Sequence, residues 1–140
     1  MQKLKFVLFA WSVLLCLTAC KSGSTKKSVP GGKAVIECTD GRSFDFGEVS
    51  PDVTKITHDY TIVNRGDGPL VIDKVDVSCD CLTVEFPDSP IEPEEEATIH
   101  LVLDAKHQPR GYIKRTCLVY NNSSNMPEMR FAIEGVLNDE

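Results

Sequence analysis

From Ala34 onward, apolar and polar residues alternate with a period of two. Ala34, Ile36 and Cys38 alternate with Val35 and Glu37, and Phe44 and Phe46 flank Asp45. His58, Tyr60 and Ile62 alternate with Asp59, Thr61 and Val63. A strand follows over Leu70 to Val77, with a phase slip near Asp73-Lys74 that predicts a bulge. Leu82, Val84 and Phe86 alternate next, and Ala97, Ile99, Leu101 and Leu103 alternate with Thr98, His100, Val102 and Asp104. Ile113, Cys117 and Val119 share a face on which Arg115 is out of character; Met129, Phe131 and Ile133 close the series. Successive side chains of an extended chain point to opposite faces, so each run reads as a strand with one buried face.

Turn signals separate these runs. Asn64-Arg65-Gly66-Asp67-Gly68-Pro69 is dense in residues that favour turns, and Pro87 to Glu96 is an acidic, proline-rich loop. Loops are also read over Lys106 to Gly111 and Asn121 to Pro127. Nothing carries a helical period. About seven short strands with regular turns predict an all-β, immunoglobulin-like β-sandwich, and the roughly 107 residues from Ala34 suit one such domain.

The first residues follow another logic. Lys3 and Lys5 form a basic head, Phe6 to Leu17 is an apolar run, and Leu17-Thr18-Ala19-Cys20 follows. The run is roughly 12 residues, against about 20 for a bilayer span. Head, short apolar core and small-residue site predict a lipoprotein signal peptide over 1–19. Cleavage leaves Cys20 first, and its thiol accepts a diacylglycerol through a thioether. Residues 20–33 then read as a lipidated cysteine and flexible basic linker, with the sandwich domain over 34–140. The expected location is the bacterial cell envelope, with the chain lipid-anchored to the outer membrane and facing the periplasm. Lys21 replaces the aspartate associated with inner-membrane retention.

Charge sharpens this picture. The chain has 15 Lys and Arg against 21 Asp and Glu, a net of −6. Removing residues 1–19 takes away two lysines and no acid. The linker carries Lys21, Lys26, Lys27 and Lys33 and no acid, so an acidic domain hangs from a basic tether. Nucleic-acid binding is disfavoured, because phosphate neutralisation needs a basic surface.

Several motifs together resemble a bacterial domain-of-unknown-function family (1573), whose members are often lipoproteins. They are Phe44-Asp45-Phe46-Gly47, Asn64 to Ile72, Ser78-Cys79-Asp80-Cys81, Ile91-Glu92-Pro93 with Glu95, Lys114 to Asn122 and Ile133-Glu134-Gly135. The resemblance spans about Ser43 to Leu137. It implies an immunoglobulin sandwich of the Hydin and major-sperm-protein type, whose relatives mostly bind other proteins. Members commonly carry glycine after the loop proline, where this chain has Glu94, and Cys-Gly-Cys where it has Cys79-Asp80-Cys81. Phe44 and Phe46 are expected to plug the core.

Six cysteines are present; Cys16 leaves with the signal and Cys20 takes the lipid. Cys38, Cys79, Cys81 and Cys117 remain, and exported domains favour disulfides. Alternation puts Cys79 and Cys81 on one face. A structural bridge, a redox pair and a soft-metal site such as Cu(I) are all open there. The intervening Asp80 disfavours a thiolate. Cys38 and Cys117 both alternate with apolar neighbours. They form either a bridge closing about 79 residues, worth roughly 4 kcal/mol, or two unpaired core thiols. In such a sandwich Leu70 to Val77 runs antiparallel to Tyr112 to Tyr120. Cys117 is then expected opposite the first half of that partner, several residues from Cys79 and out of disulfide reach of Cys79 and Cys81.

His58, His100 and His107 form no motif, and Asp73, Asp76 and Asp80 match no cation loop. No nucleophile elbow or phosphate loop occurs. The expectation is a non-enzymatic binding or scaffold domain without cofactor, whose partners are the membrane, through Cys20, and an envelope protein. The alternative is a thiol-redox or copper-handling protein using Cys79 and Cys81.

Overall fold

The computed structural model describes residues 29–139; the expected signal peptide, Cys20 and most of the expected linker lie outside these residues. Eight strands form: β1 (Ile36–Cys38), β2 (Ser43–Val49), β3 (Lys55–Asn64), β4 (Ile72–Val77), β5 (Leu82–Glu85), β6 (Glu96–Asp104), β7 (Gly111–Asn121) and β8 (Glu128–Leu137). They build two four-stranded sheets, β1-β3-β6-β5 and β2-β8-β7-β4. All pairings are antiparallel except β2 with β8. The chain is an all-β immunoglobulin-like sandwich. Among the described residues no helix is long and apolar enough to cross a membrane.

The alternation read from the sequence selects the buried faces. Tyr60, Ile62, Ile99, Leu101 and Leu103 from the first sheet meet Val119, Met129, Phe131 and Ile133 from the second, all essentially without solvent exposure. Burying each such side chain contributes about 1.5–3 kcal/mol. The Tyr60 hydroxyl crosses the core and donates to the Ala132 carbonyl at 2.5 Å, joining the sheets. That burial pushes the phenol up to about 12. The bulge expected near Asp73 is present, as a register shift between Ile72 and Lys74.

Three expectations need correction. Phe44 and Phe46 are half-buried and flank the core rather than plug it. β2 is an edge strand beside β8, so its aromatics lie over the margin. Phe44 stacks on His58, ring centroids 3.8 Å apart, and Phe46 lies across Gly135, where a Cβ would come within 2.4 Å of the ring. The second concerns the linker, which does not extend freely to Lys33. Val29 donates its backbone N–H to the Asp67 carbonyl at 2.7 Å, and Lys33 donates its own to Asp67 Oδ1 at 2.7 Å. Gly66 and Gly68 permit this: a Cβ on either would lie within about 2.2 Å of the Lys33 or Gly32 carbonyl oxygen.

The third correction is the register of Cys117. It stands opposite Val77, the last residue of β4, and not opposite the first half. β4 starts at Ile72, opposite Asn121, which carries Cys117 to its far end.

One turn is held against backbone preference. Glu94 has φ +65°, the left-handed region that glycine adopts without cost. It is the only non-glycine residue with positive φ among the described residues. Its N–H donates to the Asn64 carbonyl at 2.7 Å, and its carboxylate accepts from Arg65 Nη1 at 3.0 Å. The glycine implied here by the resemblance answers to this geometry.

Candidate functional site

After β4 the chain crosses from one sheet to the other through Ser78 to Cys81, and the cysteine pair sits in this crossing. A disulfide joins Cys79 to Cys81, with Cα atoms 5.1 Å apart. Both residues are half-buried, Cys79 between exposed Ser78 and Asp80 and Cys81 between Asp80 and buried Leu82. Ser78 donates its backbone N–H to the Thr116 carbonyl at 2.9 Å, and its Oγ accepts from the Thr116 N–H at 3.0 Å. Leu82 donates to the Cys79 carbonyl at 3.2 Å and Asp104 to the Cys81 carbonyl at 2.8 Å. The crossing is therefore fastened to both sheets through its backbone.

Cys38 and Cys117 are free thiols, so no bridge joins the sheets. Cys117 is 1% exposed, and burial pushes its thiol up to about 11. Cys38 is half-buried at the end of β1 and donates its thiol to the Gly41 carbonyl at 2.7 Å. Partial burial raises its pKa too. Neither is poised for nucleophilic chemistry, because the thiolate is the reactive form.

The other titratable groups are taken up locally. His58 is stacked on Phe44, and partial burial holds its imidazole below the ordinary value. His100 pairs with Asp59 on the outer face, and Asp76 with Lys74 at 3.0 Å. Glu134 accepts from Ser43 Oγ at 2.6 Å, from Lys114 Nζ at 2.9 Å and from the Tyr112 hydroxyl. These donors hold its carboxyl down at about 2. Among the described residues no group of three or more His, Cys, Asp or Glu could hold a metal ion.

A different feature emerges at β7. β8 pairs with it along its whole length, from Gly111 opposite Leu137 to Tyr120 opposite Glu128. On the other side β4 reaches only Cys117, and Ser78 extends the contact to Thr116. Among the described residues, Gly111 to Arg115 therefore has no hydrogen-bonded strand on that side. Arg115 Nη1 donates to the Lys114 carbonyl at 3.0 Å, covering one group of the edge, while Nη2 donates to Gln108 Oε1 at 2.6 Å. Its Nε is buried without a hydrogen-bond partner. Tyr112, 64% exposed, and Val77, 41% exposed, stand beside this edge. Sequence reasoning missed it; the one signal was Arg115, a cation in a series of inward positions.

Solved structures share the fold. A protein of unknown function from Porphyromonas gingivalis W83 aligns with TM-score 0.65 at 19% identity, covering 85% of this chain and 51% of that one. This chain thus spans about half the length of that protein. The secreted serine protease VesC from Vibrio cholerae aligns with TM-score 0.56 at 10% identity, over 76% of this chain and 23% of that one. A PapD-like domain of human CEP192 aligns with TM-score 0.50 at 15% identity, over 81% and 91%. At these identities the likeness shows the fold alone. No curated protein matches the chain in sequence. Residues 37–137 match the family described as protein of unknown function (DUF1573), and the chain belongs to that family.

Proposed function

We propose that this chain is a non-enzymatic binding module of the bacterial cell envelope, tethered by lipid on Cys20, that holds a partner protein at the open edge of β7. The observation that carries the reading is that edge. A strand without a neighbour offers N–H and C=O groups in a row, and an extended segment of another protein can add to them as a further strand. Exposed Tyr112 and Val77 supply apolar contact beside it.

The tether supports this use. Ser124 donates to the Ala34 carbonyl at 2.9 Å, and Asn125 bonds Ile36 in both directions, so the Asn121 end of β7 lies beside the chain's entry to the domain. The open edge begins at Gly111, the opposite end of that strand. Cys20 to Val29 spans roughly 30 Å when extended. An anchored domain then meets its partner with the end turned away from the lipid.

Two measurements on the full chain test this. Cys20→Ala abolishes partition into detergent, and unchanged partition removes the anchor. Affinity capture from detergent-solubilised envelope recovers a partner with the wild type and loses it with Val77→Lys, which sets a charge beside the edge. Equal recovery with the variant removes the edge as the binding surface.

A further inference from the structure

Beyond that binding role, we infer that Cys79 and Cys81 form a thiol–disulfide exchange site for the cysteine pair of another protein. The bridge serves the fold poorly. Disulfide stabilisation grows with the length of loop closed, and this bridge spans one residue and connects no two strands. The backbone does the fastening instead. The Thr116 bonds to Ser78, the Leu82 bond to Cys79 and the Asp104 bond to Cys81 do not pass through sulfur. Opening the bridge therefore leaves both thiols side by side, as reversible exchange requires.

Access and selectivity agree with the role. The pair is half-buried beside exposed Ser78 and Asp80, whereas Cys117 is sealed in the core.

The exchange is balanced. In the dithiol form, one thiolate of the pair attacks a sulfur of the partner's disulfide. A mixed disulfide forms and a partner thiolate leaves. The second cysteine, losing its proton to water, attacks the bridging sulfur on its own chain and expels the partner's other thiolate. Two electrons pass to the partner, whose thiolates take up two protons, and Cys79–Cys81 is restored. In reverse, a partner dithiol is oxidised and the bridge opens.

Glutathione serves as the probe. The full chain in detergent is equilibrated across reduced and oxidised glutathione mixtures, alkylated and mapped by mass. The expected result is one two-electron couple on the Cys79–Cys81 peptide, with Cys38 and Cys117 outside it. In Cys79→Ser and Cys81→Ser, the remaining cysteine should form its glutathione adduct in the folded chain, whereas Cys117 should do so only in urea. A bridge that resists the whole series, or a remaining cysteine of the pair that reacts only in urea, overturns the inference. Loss of the β-type spectrum in both variants also overturns it, by making the bridge structural. None of these readouts involves the β7 edge, so each proposal can fail alone.

Discussion

Val77 stands directly opposite Cys117 at the last step of the β4–β7 ladder. Cys79, two residues further on, is therefore close in level to Cys117. What separates them is burial and bonding: Cys117 is sealed in the core, while Cys79 is only partly buried against it and is bonded to Cys81. Alkylation of Cys117 should then require global opening. Its labelling rate in a denaturant series is expected to follow the unfolding equilibrium, while Cys38 labels in the native chain. Equal labelling of both without denaturant would contradict this placement.

Asn64 is fully buried and ties three segments together. Its Nδ2 donates to the Gly68 and Ile91 carbonyls, each at 2.8 Å, and its Oδ1 accepts from Gly66 at 2.9 Å. Asn64→Ala leaves these buried groups unpaired and is expected to cost about 2–4 kcal/mol in urea unfolding. A change below about 1 kcal/mol would mean that water replaces the side chain.

Glu94 makes the opposite prediction. Glycine relieves the left-handed backbone but removes the exposed pair with Arg65, which is worth little. Glu94→Gly should therefore raise stability by about 0.5–1 kcal/mol, read as a higher urea midpoint at unchanged slope.

His58 predicts a pH dependence. Burial lowers its pKa in the folded state, so the unfolded chain binds the proton more readily. The associated stability is present above the ordinary histidine value of about 6.5 and is lost as pH falls through the folded value. His58→Phe keeps a ring for Phe44 to stack on and removes the proton. Urea midpoints of this variant should vary less with pH just below 6.5 than those of the wild type; an equal slope would assign it to another group.

How much of this was legible in the sequence follows from what alternation encodes. A period of two assigns faces, so Tyr60, Ile99, Leu101 and Phe131 could be read as core directly. It does not assign register, which turns and bulges set; hence Cys117 was misplaced along β4. It does not separate a central strand from an edge strand either, so Phe44 and Phe46 read as core plugs. The pairing of β2 beside β8 decides that. Ser78-Cys79-Asp80-Cys81 was visible as a motif, but its fastening to Thr116 and Asp104 joins residues far apart in the chain. The open edge of β7 was least visible, because it depends on β4 ending at Val77 while β7 runs on to Gly111.

The binding role is tested most directly by cross-linking in the envelope. A photoreactive amino acid replaces Tyr112 beside the open edge in one strain. In another it replaces Glu48, which is exposed on β2 at the other margin of the same sheet. The account predicts a discrete protein adduct from position 112, none from position 48, and loss of the first when Val77→Lys is added. No adduct at 112, or the same adducts from both positions, would contradict it.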